Sequence, residues 1–159
     1  MANISGGMML RKDPSIGGYV MRQPIPESTI MPLIDTRADT GKFVRGIIKN
    51  GTPGQRVLGV STQLSLKEVL DTFKKVFPKD GANAQFVQIS KDQYLDGFES
   101  SGLPKYAALE LYENMLLLSQ FGYYLGESID ESVALAGGVE QLTSLEEHLR
   151  NAPQFKSLE

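Results

Sequence analysis

Residues 30–61 read IMPLIDTRADTGKFVRGIIKNGTPGQRVLGVS, and this stretch decides the fold class. Met31, Leu33 and Ile34 form a short apolar run closing on Asp35, the pattern of a strand leaving a core. Asp35 or Thr36 can cap the following helix, since a short oxygen-bearing side chain satisfies its unpaired N–H groups. Phe43, Val44, Ile47 and Ile48 recur at helical spacing and predict one apolar face. Asn50-Gly51 ends that helix, because both residues tolerate a left-handed C′ position. Gly54 and Gln55 then lead into a second apolar run, Arg56–Ser61. Strand, helix and strand with short joints predict a βαβ unit with two parallel strands. A parallel sheet needs cover on both faces, from the rest of the chain or from another chain.

On the N-terminal side, the stretch to Pro14 is rich in Gly and Met and reads as a loop. Ile16-Gly17-Gly18 is a turn and Tyr19–Met21 a short strand. Pro24 and Pro26 keep the next segment extended and away from the middle of a sheet. On the C-terminal side, Ser65-Leu-Lys-Glu68 is a capping box, followed by a helical stripe from Leu66 to Phe77 that Pro78 ends. Ala84–Ile89 alternates and is expected beside the two strands of the βαβ unit. Ser90–Gln93 is a second capping box, opening a helix through Phe98. Pro104 sits where a long helix begins. That helix carries Ala107, Leu111, Met115, Leu118 and Phe121 on one side, widened by Tyr106, Tyr112, Leu116 and Leu117. So broad an apolar surface predicts burial between layers or a pocket wall. Residues 126–138 read as looser chain. Thr143–Glu146 is a third capping box, opening a terminal helix.

Composition excludes several functions. The chain has 159 residues, no Cys and one His, which removes a disulfide framework, a thiolate metal site and a Cys nucleophile. Absence of Cys also fits a reducing, cytoplasmic setting. A net charge of −3 argues against direct nucleic-acid binding. No apolar run reaches membrane-spanning length, so no membrane partner is expected.

The chemistry of a dinucleotide cofactor is missing from the text of the chain. Neither G-x-G-x-x-G nor G-x-x-G-x-x-G occurs, and Gly51-Thr-Pro-Gly54 precedes a strand instead of joining a strand to a helix. No tyrosine has Lys four residues on: those positions hold Gln23, Phe98, Glu110, Leu116, Glu127 and Ser128. His148, near the end of the terminal helix, reads as a helix-end charge in preference to a catalytic base. Asp35, Arg37 and Asp39 cluster where open α/β sheets bind ligands, yet capping and local ion pairing account for them. Glu127, Asp130 and Glu131 read as a solvated acidic loop.

Several of these segments together resemble the NmrA-like family, atypical members of the short-chain dehydrogenase/reductase class. They are Asn3-x-x-Gly6-Gly7-Met8, Leu10–Pro14, Gly18-Tyr19-Val20, the Pro-rich arm, the segment with Ala38-Asp39-Thr40-Gly41-Lys42-Phe43-Val44, Ser65–Phe77, Gln85–Ser90, Gly102-Leu103-Pro104 and Leu142-Thr-Ser-Leu-Glu-Glu147. The similarity covers the second half of that family, without the half that carries the glycine fingerprint. It implies a single truncated α/β, Rossmann-type domain over residues 1–159, with a short, largely parallel sheet, flanking helices and a helical C-terminal layer. It also implies NADP as cofactor, with Asn3, Gly6 and Gly7 at the nicotinamide edge and Tyr112, Met115 and Phe121 in the wall of a substrate pocket. The implied function is an oxidoreductase on a small molecule, in fungal secondary-metabolite biosynthesis, or a non-catalytic regulator docking a transcription factor. An uncovered sheet implies a homodimer or a partner chain.

Overall fold

The computed structural model describes residues 1–138 and 140–159. Five strands, β1 (Leu10–Asp13), β2 (Gly18–Gln23), β3 (Ile30–Leu33), β4 (Thr62–Ser65) and β5 (Gln85–Gln88), form two small sheets. Around them lie α1 (Ala2–Ser5), α2 (Thr36–Asn50), α3 (Leu66–Val76), α4 (Lys91–Glu99), α5 (Lys105–Phe121), α6 (Asp130–Gly137) and α7 (Leu145–Asn151). A 3₁₀ turn, Pro153–Phe155, follows α7. The fold is mixed α/β with a helical C-terminal layer. Among the described residues, parallel pairing is confined to β2 and β5; β1 runs antiparallel to β2, and β3 antiparallel to β4.

The βαβ unit expected over residues 30–61 does not form. Its first strand and helix are β3 and α2, but Arg56–Ser61 makes no strand, and β3 instead takes β4, with Ile30 opposite Ser65. The physical reason is that residues 58–61 satisfy their backbone without a ladder. Leu58 N–H donates to Ser132 Oγ at 2.8 Å, and both the N–H and the hydroxyl of Ser61 donate to the Leu33 carbonyl. Leu58 and Val60 are buried there all the same. The three apolar runs therefore do not lie side by side: β5 joins β2 instead.

Four more local readings change. The loop expected up to Pro14 contains α1 and β1. Gly51 ends α2 with φ −73°, not in the left-handed region; a Cβ there would lie 2.5 Å from the Ile47 carbonyl oxygen, so the position is Gly for lack of room. At the chain's other end, residues 130–137 are helical, and the cap of α7 is Ser144, which accepts from Glu147 N–H, one residue later than the expected Thr143. The capping boxes at Ser65 and Ser90 form as read.

The sheet β1-β2-β5 has two unlike faces. Leu10, Met21 and Phe86 are in register on one face, which meets α3. Leu66, Val69, Leu70, Phe73 and Val76 of α3 are all buried, and burial of each such side chain contributes roughly 1.5–3 kcal/mol. Tyr19 stacks edge-on against Phe73 at 4.9 Å, and Phe77 and Phe155 complete the aromatic cluster. On the other face lie Arg11 and Val20, paired across the ladder, and Arg22 beyond them. Side chains of α4 and α5 cover that face in part.

Helix burial departs from the apolar pattern. In α2 the buried residues are Asp39, Lys42, Phe43 and Gly46, whereas Val44, Ile47 and Ile48 are exposed. Of α5 only Ala108 and Leu118 are fully buried, and Tyr106, Leu117 and Phe121 face outward. The broad apolar surface of α5 is not a buried cylinder.

Candidate functional site

Between the second sheet face and the pair α4–α5 lies a cavity of about 240 Å³. Met8, Met9 and Met31 contribute from the sheet side, and Tyr94, Phe98, Leu111 and Met115 from the helices. Tyr94 packs edge-on against Phe98 at 5.0 Å and lies 6.1 Å from Tyr112. Four thioethers in its lining make it polarisable and adaptable in shape. Arg11, Arg22, Gln23, Asn3 and Gln93 supply the polar lining.

The expected site residues are brought together only in part. Asn3 and Met115 line this cavity, one from each of the two groups that the sequence singled out. Gly6 and Gly7 do not line it. Gly7 has φ +78°, and its carbonyl accepts from Arg11 Nε at 2.6 Å, so its role is to orient that arginine. Tyr112 stands behind the wall, under Lys91, whose Nζ is 5.2 Å from the ring centre. Phe121 lies on the outside of α5. Sequence reasoning missed Arg11, Arg22, Gln23 and Tyr94; the available signal was charge inside the strand pattern Gly18–Gln23, where an arginine interrupts buried neighbours.

The electrostatics favour holding a ligand over moving protons. Burial pushes the Tyr94 phenol up to about 12, so it stays protonated at neutral pH. The amine that could lower it, Lys91, sits over Tyr112 instead. At the rim, Arg22 pairs with Asp13 at 2.6 Å, and the Arg22 and Ser15 hydrogen bonds hold the Asp13 carboxyl at about 2.

Two polar clusters lie outside the cavity. His148 Nδ1 is 2.6 Å from Asp35 Oδ2, and His148 Nε2 is 3.1 Å from Ser5 Oγ. That connectivity is the one found in serine hydrolases. Ser5, however, is buried at 8% exposure and does not line the cavity, so the three residues pin α1, α2 and α7 together. His148 is thus more than a helix-end charge. The second cluster is Asp39, fully buried, which pairs with Lys42 at 3.0 Å and accepts the N–H and hydroxyl of Thr143. Arg56 pairs with Glu127 at 2.7 Å, so part of the acidic loop is neutralised.

Four helix starts are closed to a phosphate by their own caps, whereas α1, α5 and α6 carry no side-chain cap among the described residues. A phosphate would need the free N-terminus of a helix. The start of α2 is taken by the Asp35 carboxylate, which accepts from Arg37 and Ala38 N–H, and α3, α4 and α7 are capped by Ser65, Ser90 and Ser144. The cavity is also below the usual range for ligand clefts, roughly 300–1,000 Å³. This cavity alone is too small for a whole dinucleotide. Nor do the described residues hold three carboxylate or imidazole groups placed for a metal ion.

The sequence profile of the NmrA-like family matches residues 1–149. The chain belongs to the NmrA-like family. NmrA-like folds account for the structural likeness as well. A crystal structure of NmrA, described as a negative transcriptional regulator, is 17% identical and superposes with a TM-score of 0.64, covering 92% of this chain and 46% of that one. NmrA in complex with NAD is 19% identical, with a TM-score of 0.59 and the same coverage. The chain thus spans about 46% of the length of these NmrA structures. It matches none of the curated proteins. Among the described residues, no helix is long and apolar enough to cross a membrane.

Proposed function

We propose that this chain is the small-molecule-binding half of an NmrA-like protein, a ligand-responsive binding module of regulator type that does not hold a dinucleotide alone. The observation that carries this reading is the largely apolar cavity between the sheet and α4–α5, lined by both Asn3 and Met115. The capped starts of α2, α3, α4 and α7 and the high Tyr94 pKa support binding over catalysis. An exposed β5 edge and the outward Tyr106, Leu117 and Phe121 support a second copy or a partner chain laid against the module.

A ligand that binds the native state alone must raise the melting temperature. A small apolar aromatic compound at saturation is expected to raise it, and NAD or NADP to leave it unchanged. A rise with either dinucleotide overturns the proposal.

One observation favours a second reading. Asn3, the expected nicotinamide-edge residue, shares its cavity with the expected substrate-wall residue Met115. In that reading the protein is an oxidoreductase on a small molecule of fungal secondary metabolism, with NADP held by a further chain. Turnover of NADPH only when such a chain is added would favour it.

A further inference from the structure

We infer that the cavity takes a small aromatic carboxylic acid, with Arg11 receiving the carboxylate. This rests on the small-molecule reading above and narrows it to a ligand class.

The lining contains two guanidinium groups and no carboxylate. Asp13, beside the rim, is bound to Arg22, which leaves one positive charge in excess. Arg11 has no carboxylate partner among the described residues. Its Nε donates to the Gly7 carbonyl at 2.6 Å, which fixes the side chain and leaves its two terminal amino groups to a planar acceptor. A guanidinium held in this way matches a carboxylate in two parallel hydrogen bonds.

The rest of the lining is largely apolar: Met8, Met9, Met31, Met115, Tyr94 and Phe98 border the same space. A flat apolar body with a carboxylate at one end matches this lining.

The test is calorimetric titration with 6-hydroxy-2-naphthoate, its methyl ester and 2-naphthoate. The acid is expected to bind at least tenfold more tightly than the ester. Arg11→Gln should remove that preference while leaving the ester's affinity unchanged. Equal binding of acid and ester, or a preference that survives Arg11→Gln, overturns the inference and leaves the small-molecule reading intact. Binding of none of the three overturns both.

Discussion

Asp35 Oδ2 and His148 Nδ1 stand 2.6 Å apart although 113 residues separate them in sequence. The same carboxylate caps α2 through Arg37 and Ala38 N–H, so one side chain fixes both a helix start and the docking of α7. On the other side of the ring, His148 Nε2 lies 3.1 Å from Ser5 Oγ and brings α1 into the same knot. Asp35→Asn keeps a competent cap but removes the charge from the histidine contact. It should cost roughly 1.5–3 kcal/mol in urea unfolding, and Ser5→Ala roughly 0.5–1.5 kcal/mol.

The carboxylates set the acid limit. Burial raises the Asp35 pKa, but hydrogen bonds from His148 and from Ala38 and Arg37 N–H outweigh it and hold the group below its ordinary value. Asp13 is held at about 2 by Arg22 and Ser15. For both, the folded pKa lies below the unfolded one, about 3.9. Their contribution is therefore present above that value and lost as pH falls through the folded pKa. Stability should be flat in this respect from pH 7 to 5 and fall from about pH 4 to 2. The fall should be shallower in Asp13→Asn, as read by denaturant midpoints across that range.

Asp39 is the most consequential buried charge. It is fully enclosed, with Lys42 at 3.0 Å and the Thr143 hydroxyl at 2.8 Å. Removal would strand Lys42 as an uncompensated buried cation. Asp39→Ala should therefore destabilise by roughly 3–5 kcal/mol, measured as the unfolding free energy.

Two glycines of α2 make an internal control. A Cβ on Gly46 would lie 2.6 Å from the Leu135 carbonyl oxygen of α6, whereas one on Gly41 meets nothing within 4 Å. Gly46→Ala should destabilise by roughly 1–3 kcal/mol through overpacking. Gly41→Ala should stabilise by roughly 0.5–1 kcal/mol, because Ala loses less backbone entropy in a helix. Equal effects at the two positions would contradict the α2–α6 packing.

What was legible in the sequence is what is local. The boxes at Ser65 and Ser90 join groups three residues apart, and they form where the spacing placed them. Strand partners are not local. Thr62–Ser65 is polar and carries no strand signature, yet β3 takes it because Ser61 ties the chain back to Leu33. The α2 face was misread because its interior is an ion pair; Asp39, Lys42, Phe43 and Gly46 do share helical spacing, but two of them are charged. The cavity was half legible. Asn3 and Met115 stood out by family likeness, whereas Arg11 and Arg22 acquire meaning only once β1, β2 and α5 enclose one space.

The six methionines offer the most direct test of that space. Met8, Met9, Met31 and Met115 line the cavity, whereas Met1 and Met21 are buried elsewhere in the core. With ¹³C-methyl methionine, titration by 6-hydroxy-2-naphthoate should shift the four lining methyl resonances and leave those of Met1 and Met21 in place. Unmoved lining methyls at saturating probe, or shifts centred on Met1 and Met21, would contradict a binding cavity between the sheet and α4–α5.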